Sequence, residues 1–286
     1  MNILITGING YLGSNLAKSL DENYNIIGLE YSLHNLSRIK EYNFKIYSVE
    51  NGIPDDLFEG NDIDIIIHTA TFYGRKNESV DTIAHANLFI PFDLLDKAIK
   101  NGCKAFINTD TVLDRFVSTY ALTKNHFREW LYLRRNEIKI INMQLEHFYG
   151  PDAPETNFIT AMINRLKQNE KSIDLTEGEQ LRDFIYIDDV IKAYQTVLIS
   201  QQFLENFSQY QVSTKQLISI RDLMLTLKQL TGSSSKLNFG AILYRENELM
   251  HSETDNSALV ELGWRPLNTI NEGLHKTIKQ FDIKSL

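Results

Sequence analysis

Residues 1–13 read Met1-Asn2-Ile3-Leu4-Ile5-Thr6-Gly7-Ile8-Asn9-Gly10-Tyr11-Leu12-Gly13, and this stretch decides the fold. Met1 to Thr6 is a short apolar run that reads as a strand. Gly7 to Gly10 is a turn, and Tyr11 to Leu20 carries Leu12, Leu16 and Leu20 at helical spacing. In a strand–turn–helix unit of this kind each glycine has a use. Gly7 can take a turn conformation closed to residues with a Cβ. Gly10 lets the backbone approach a diphosphate, and Gly13 lets the helix sit close on the sheet. Backbone N–H groups and the helix dipole then face the phosphates. Gly7, Asn9, Gly10, Tyr11, Leu12 and Gly13 are therefore candidate dinucleotide-binding residues.

Outward from this unit the alternation continues. Asn25 to Leu29 reads as a strand and Asp64 to His68 as a buried strand. Asn87 to Ala98 reads as a helix, Ala105 to Asn108 as a strand, Tyr120 to Leu133 as a helix and Ile138 to Met143 as a strand. The pattern predicts an α/β chain with a Rossmann-like doubly wound parallel sheet. After Gly150-Pro151 the elements shorten: helical Ile159 to Leu166, extended Ser172 to Leu175, helical Asp188 to Ile199 and helix-like Ile270 to Phe281. The expected division is a dinucleotide-binding domain over 1–150 and a smaller substrate-binding region over 151–286. Elements around 181–200 are expected to return to the sheet.

The formal charge of −8 argues against nucleic acid as a partner. Cys103 is the single cysteine, which excludes an intramolecular disulfide and fits the reducing cytoplasm. No apolar run approaches the length of a membrane-spanning helix, and no basic leader precedes the first strand. The seven histidines lack metal-ligand spacing, so no metal is expected. His68 reads as a core or cofactor-adjacent residue.

Glu30 ends the second strand, where a carboxylate can accept hydrogen bonds from the adenosine ribose; this favours NAD(H). Arg38 and His34 follow and could instead meet the 2′-phosphate of NADP(H), so both forms stay open. Tyr120 and Lys124 stand four apart on one helix face. A nearby ammonium and an oxidised nicotinamide would lower the phenol's pKa and let it exchange a proton with a substrate oxygen. The helix they open follows the strand carrying Thr109-Asp110-Thr111, whose threonines share one face. Asp188-Asp189 opens a helix and reads as capping and dipole charge. Trp264 reads as a packing residue.

With these motifs in order, the chain resembles the extended short-chain dehydrogenase/reductases, the NAD-dependent epimerase/dehydratase group acting on nucleotide sugars. The matching stretches are Thr6-Gly-x-x-Gly-x-x-Gly13, Ile67-His68-Thr69-Ala70, Asn87, Tyr120-x-x-x-Lys124, Gly150-Pro151, the run 182–189 (RDFIYIDD) and Leu262-Gly263-Trp264-x-Pro266. The resemblance implies that Tyr120 is the acid/base, Lys124 its partner and Thr111 the catalytic hydroxyl, with Thr109 as second choice. It implies cofactor contacts from Thr69, Ala70, Thr71, Asn87 and Thr109. It implies substrate contacts from Asn157 and from Arg182, which resembles the family's phosphate-binding arginine. Arg245 is either a second such arginine or a surface residue, and His147 either a donor to substrate or a packed loop histidine. A homodimer through helices around 87–97 and 120–133 would be normal for the family.

The chain also departs from that pattern. Tyr120 follows Thr111 by only nine positions, and neither register of the threonines is followed by the Asp-Glu pair of the 4,6-dehydratases. The short loop, Asn108-Thr-Asp-Thr111 and Leu145-Glu-His-Phe-Tyr-Gly150 look most like the CDP-abequose and CDP-paratose synthase branch. That likeness implies reduction of the C4 keto group of a CDP-, dTDP- or GDP-linked 4-keto sugar, in surface-polysaccharide (O-antigen) sugar biosynthesis. The enzyme alternative is a 4-epimerase with tightly bound NAD. The non-enzyme alternative is a dinucleotide-sensing protein, against which the Tyr/Lys pair counts.

Overall fold

The first strand lies inside a seven-stranded sheet, flanked on both sides by neighbours from later in the chain. The computed structural model describes residues 1–246 and 248–284. In chain order the first half comprises β1 (Asn2–Thr6), α1 (Tyr11–Leu20), β2 (Asn25–Glu30), β3 (Lys45–Ser48), α2 (Asp56–Glu59) and β4 (Ile63–His68). It continues with α3 (Val80–Ala84), α4 (Ile90–Lys100), β5 (Ala105–Thr111), α5 (Thr119–Leu133) and β6 (Lys139–Leu145). The second half comprises β7 (His147–Tyr149), α6 (Phe158–Lys167), β8 (Ser172–Asp174), β9 (Leu181–Tyr186), α7 (Ile187–Ser200) and β10 (Phe207–Val212). It ends with β11 (Leu217–Ser219), α8 (Ile220–Thr231), β12 (Lys236–Asn238), α9 (Ser257–Glu261) and α10 (Ile270–Lys284).

The large sheet has the order β10-β6-β5-β4-β1-β2-β3. β1 to β6 pair in parallel. This is the doubly wound arrangement, and strand order reverses between β1 and β4. At such a switch point the chain leaves a crevice at the strands' carboxyl ends. Thr6 pairs with His68 there, and His68 with Asn108. The apolar runs of the parallel strands account for their burial: Leu4, Ile66, Phe106 and Ile140 are fully buried against Leu94, Leu95, Phe127 and Leu131. Each such side chain contributes roughly 1.5–3 kcal/mol of hydrophobic stabilisation.

Two elements depart from expectation. The helix expected to begin at Asn87 begins at Val80 and passes through a π-helical turn, His85–Phe89, before α4. The wider turn carries Asn87 inward. Strand β3 was not expected; its four residues extend the sheet beyond β2.

Two compact units make up the chain, Met1–Leu145 with Tyr194–Tyr210, and Glu146–Ala193 with Gln211 onward. The sequence places its division at 150 and its returning segment around 181–200. In the second unit β9 lies between β7 and β11, and β8 pairs with β12. Asp189 does more there than charge a helix start. Its carboxylate accepts the N–H groups of Leu267 and Asn268, each at 3.0 Å. Its carbonyl accepts the indole N–H of buried Trp264, also at 3.0 Å. Among the described residues no helix is long and apolar enough to cross a membrane.

Candidate active site

The cofactor-type residues cluster in the first unit. Gly7 has φ +63°. A Cβ on it would come within 2.9 Å of the Ala70 backbone, and one on Gly13 would overlap the Gly7 carbonyl oxygen. The turn closes through Gly10 N–H to the Gly7 carbonyl at 2.8 Å. No side chain caps α1, and no acidic residue stands in its first turn. A helix start left this way suits an anion.

Glu30 faces the same turn. Its carboxylate accepts the N–H of Asn9 at 2.8 Å and that of Tyr31 at 3.0 Å. The Asn9 side chain accepts Arg38 N–H at 3.0 Å, and the Arg38 guanidinium lies 5.6 Å from the Tyr11 ring centre. Leu12 is buried, so its backbone is what it offers a ligand.

β4 continues the wall. The Thr6 hydroxyl accepts the N–H groups of Thr69 and Ala70, each at 3.1 Å. Its own hydrogen therefore goes to His68 Nδ1, 2.8 Å away, which leaves the ring hydrogen on Nε2. Burial and the charge of Lys124 hold His68 well below its ordinary pKa, so the ring is neutral. The Thr69 hydroxyl donates to the Thr6 carbonyl at 2.7 Å and locks the turn. The buried Thr71 hydroxyl has no protein partner. A glycine cradle that a Cβ would fill, an uncapped helix start and an orphaned hydroxyl fit a dinucleotide.

Asn87 belongs to the frame around the site. Its amide bonds both backbone groups of Phe72, at 2.8 and 2.9 Å, and the Thr123 hydroxyl at 3.1 Å. These bonds clamp the segment after β4 to α5.

Ser118 caps α5, accepting Ala121 N–H at 3.1 Å, and so ends the short loop with Tyr120 in the first helical turn. Tyr120 and Lys124 face β5. The Thr111 hydroxyl lies close enough to the Tyr120 phenol to oppose the rise in its pKa. The Thr109 hydroxyl lies 2.6 Å from the Tyr194 hydroxyl, so of the two threonines it is Thr111 that meets Tyr120. The Tyr120 ring packs on Tyr73, centroids 4.8 Å apart, and Arg75 stacks over Tyr73 at 4.4 Å.

The Tyr120 phenol is pushed well above its usual pKa, chiefly by burial, then by Tyr73 and Asp110, with Thr111 and Arg75 opposing. Lys124 is not among the causes; burial brings it down to about 8, with Asp110 opposing and Arg128 assisting. Desolvation thus sets the direction for the phenol itself.

This has a measurable cost. A lysine depressed from 10.5 to about 8 destabilises the fold wherever the unfolded chain's lysine is protonated. The penalty is full below about pH 8 and fades as pH rises toward the unfolded value. Lys124→Met is expected to raise stability at neutral pH by an amount on the order of 2 kcal/mol while activity collapses. Denaturant melts at neutral and alkaline pH check this; equal stability of the two proteins at neutral pH would contradict it.

A model of the NAD-dependent epimerase/dehydratase family matches residues 3–213. The chain belongs to that family. It is 32% identical over 291 residues to CDP-abequose synthase of Salmonella typhimurium, covering 97% of each chain. Solved structures of family-like fold include UDP-glucose 4-epimerase of Thermotoga maritima with UDP-glucose, at TM-score 0.88, 23% identity and full coverage of both chains. UDP-glucuronic acid 4-epimerase of Bacillus cereus, with UDP-glucuronic acid and NAD, superposes at TM-score 0.88 with 22% identity, covering 99% of this chain and 100% of that one.

The family-derived substrate candidates lie in the second unit. Arg182, nearly buried, pairs with Glu248 at 2.6 Å. His147 is exposed, 3.1 Å from the buried Glu146 carboxylate and tilted against Phe184 with ring centroids 5.6 Å apart. Asn157 caps α6 through Ile159 N–H and donates to the Phe148 carbonyl, so its amide is engaged in the fold. The Arg245 side chain is exposed. Sequence reasoning missed Tyr73 and Arg128; the latter follows Lys124 by four on the same helix face, a signal that was available.

Proposed function

We propose that this protein reduces the C4 keto group of a nucleotide-linked 4-keto-6-deoxy sugar in the cytoplasm. The observation that carries the reading is the half-buried Tyr120 phenol, set with Lys124 on one face of α5, its pKa raised well above the ordinary value by desolvation. A reductase needs an acid at the carbonyl oxygen, whereas an epimerase must first remove a proton. The name of the Salmonella relative supports a CDP-linked substrate and a place in deoxysugar synthesis.

Gly7, Gly10 and Gly13 would hold the dinucleotide diphosphate, Glu30 its adenosine ribose and Thr71 its nicotinamide end. Bound there, the reduced cofactor supplies the hydride that C4 receives. Thr111 and Tyr120 then converge on the carbonyl oxygen. Thr111 orients it, and Tyr120 transfers its proton as negative charge develops there. Lys124, on the same helix face, would hold the nicotinamide ribose. Arg182 would exchange Glu248 for the substrate diphosphate. A homodimer would use the exposed Phe89, Trp130 and Leu133.

The test is loss of reduced-cofactor absorbance, with product mass spectrometry, on a panel of CDP-, dTDP- and GDP-4-keto sugars. One turnover per cofactor consumed supports the reading. Epimerised product without cofactor consumption overturns it.

Glu30 favours NADH over NADPH, because its fixed carboxylate would repel a 2′-phosphate. Glu30→Ser is expected to raise the NADPH-to-NADH ratio of kcat/KM by roughly tenfold or more. An unchanged ratio would place the discriminating group elsewhere.

A further inference from the structure

We infer that the part-buried Asp110–Arg128 ion pair is the positioning device of this site, holding both backbone groups of Thr111 at the end of β5 beside the Tyr120–Lys124 face of α5. Tyr120, Lys124 and Arg128 recur every four residues and share one face of α5. Arg128 Nε donates to Asp110 Oδ2 at 2.5 Å, and a second Arg128 nitrogen donates to the Thr111 carbonyl at 3.3 Å. Asp110 Oδ1 accepts the Thr111 N–H at 2.8 Å. Both backbone groups of Thr111 are thus held by the pair.

The carboxylate is fully buried and anchored on its far side as well. Asn142 donates to Asp110 Oδ2 at 2.8 Å and accepts from Asn108 at 2.7 Å. These bonds join β5, β6 and α5 into one polar frame. A buried ion pair is a poor device for stability, since apolar side chains of similar volume commonly do as well or better. Its value is geometric and electrostatic.

Arg128 and Asp110 act on Lys124 in opposite senses. The other titratable or charged groups facing this dyad are neutral His68 on β4, and Tyr73 and Arg75 from the segment after it, which face Tyr120. Asp110 thus favours the ammonium form of Lys124 and Arg128 opposes it.

The kinetic consequence rests on the ketoreductase reading; the titration does not. Lysine labelled at its terminal carbon, with the Lys124 resonance assigned by its loss in Lys124→Arg, reports the midpoint directly. Asp110→Asn is expected to lower that midpoint by about one pH unit, and Arg128→Gln to raise it. Arg128→Lys keeps the charge and is expected to leave it in place. Opposite shifts are what a purely structural pair would not give. In turnover assays the alkaline limb of kcat moves with each midpoint, while Arg128→Lys lowers kcat severalfold at constant KM. Unchanged midpoints, or shifts of the same sign in Asp110→Asn and Arg128→Gln, would overturn the inference. If Asp110→Asn does not fold, the two Arg128 variants decide it. Turnover absent on every keto sugar, with the titration as expected, would refute the ketoreductase reading and leave the pair's role standing.

Discussion

Tyr120→Phe is expected to lower kcat by about 10³-fold, the range of a lost general acid. The substitution removes one oxygen and keeps the ring, so the packing on Tyr73 at 4.8 Å persists. The Thr111 hydroxyl retains the N–H of Leu113, 3.2 Å away. The melting temperature should therefore stay close to that of the parent protein, and cofactor affinity, carried by the glycine turn and Glu30, should change little. Single-turnover reduction, cofactor titration and a thermal melt together separate these effects. Turnover within a few-fold of the parent in a folded protein would remove Tyr120 from the chemistry.

Trp264→Ala is expected to be the most damaging structural change, costing about 4 kcal/mol or roughly 10 °C in Tm. The indole is 2% exposed, and its loss opens a cavity and strips the Asp189 carbonyl of its donor. That segment is tied to Asp189 again through the N–H groups of Leu267 and Asn268. Trp264→Phe keeps most of the volume and should lose less than half as much. A melt unchanged in Trp264→Ala would show that the segment does not depend on this anchor.

The parallel sheet was legible because its strands are buried on both faces and read as continuous apolar runs, as Asp64 to His68 and Ala105 to Asn108 do. β3 escaped because Lys45–Ser48 is half-exposed at the sheet's edge and carries no such run. The π turn at His85–Phe89 escaped because a single wide turn leaves no periodic trace in eleven or twelve residues. Tyr120 and Lys124 could be named from spacing and position, and Thr111 from the family resemblance. The protonation of Tyr120 could not, since it follows from how much water the fold excludes and from Tyr73, which comes from a different part of the chain. The same holds for Asn87 and Asn157: their identities stood out, while their engagement with Phe72, Thr123 and Phe148 exists only in three dimensions.

The central claim, that Tyr120 acts as the acid while a reduced dinucleotide reduces C4, is tested most directly by isotope transfer. The protein is given a CDP-4-keto-6-deoxy sugar with cofactor deuterated at the nicotinamide's transferable position, and the product is weighed and mapped. One deuterium at C4 for each cofactor oxidised, from one face of the nicotinamide and lost in Tyr120→Phe, is the expected result. A product free of deuterium, or formed without net oxidation of the cofactor, would contradict it.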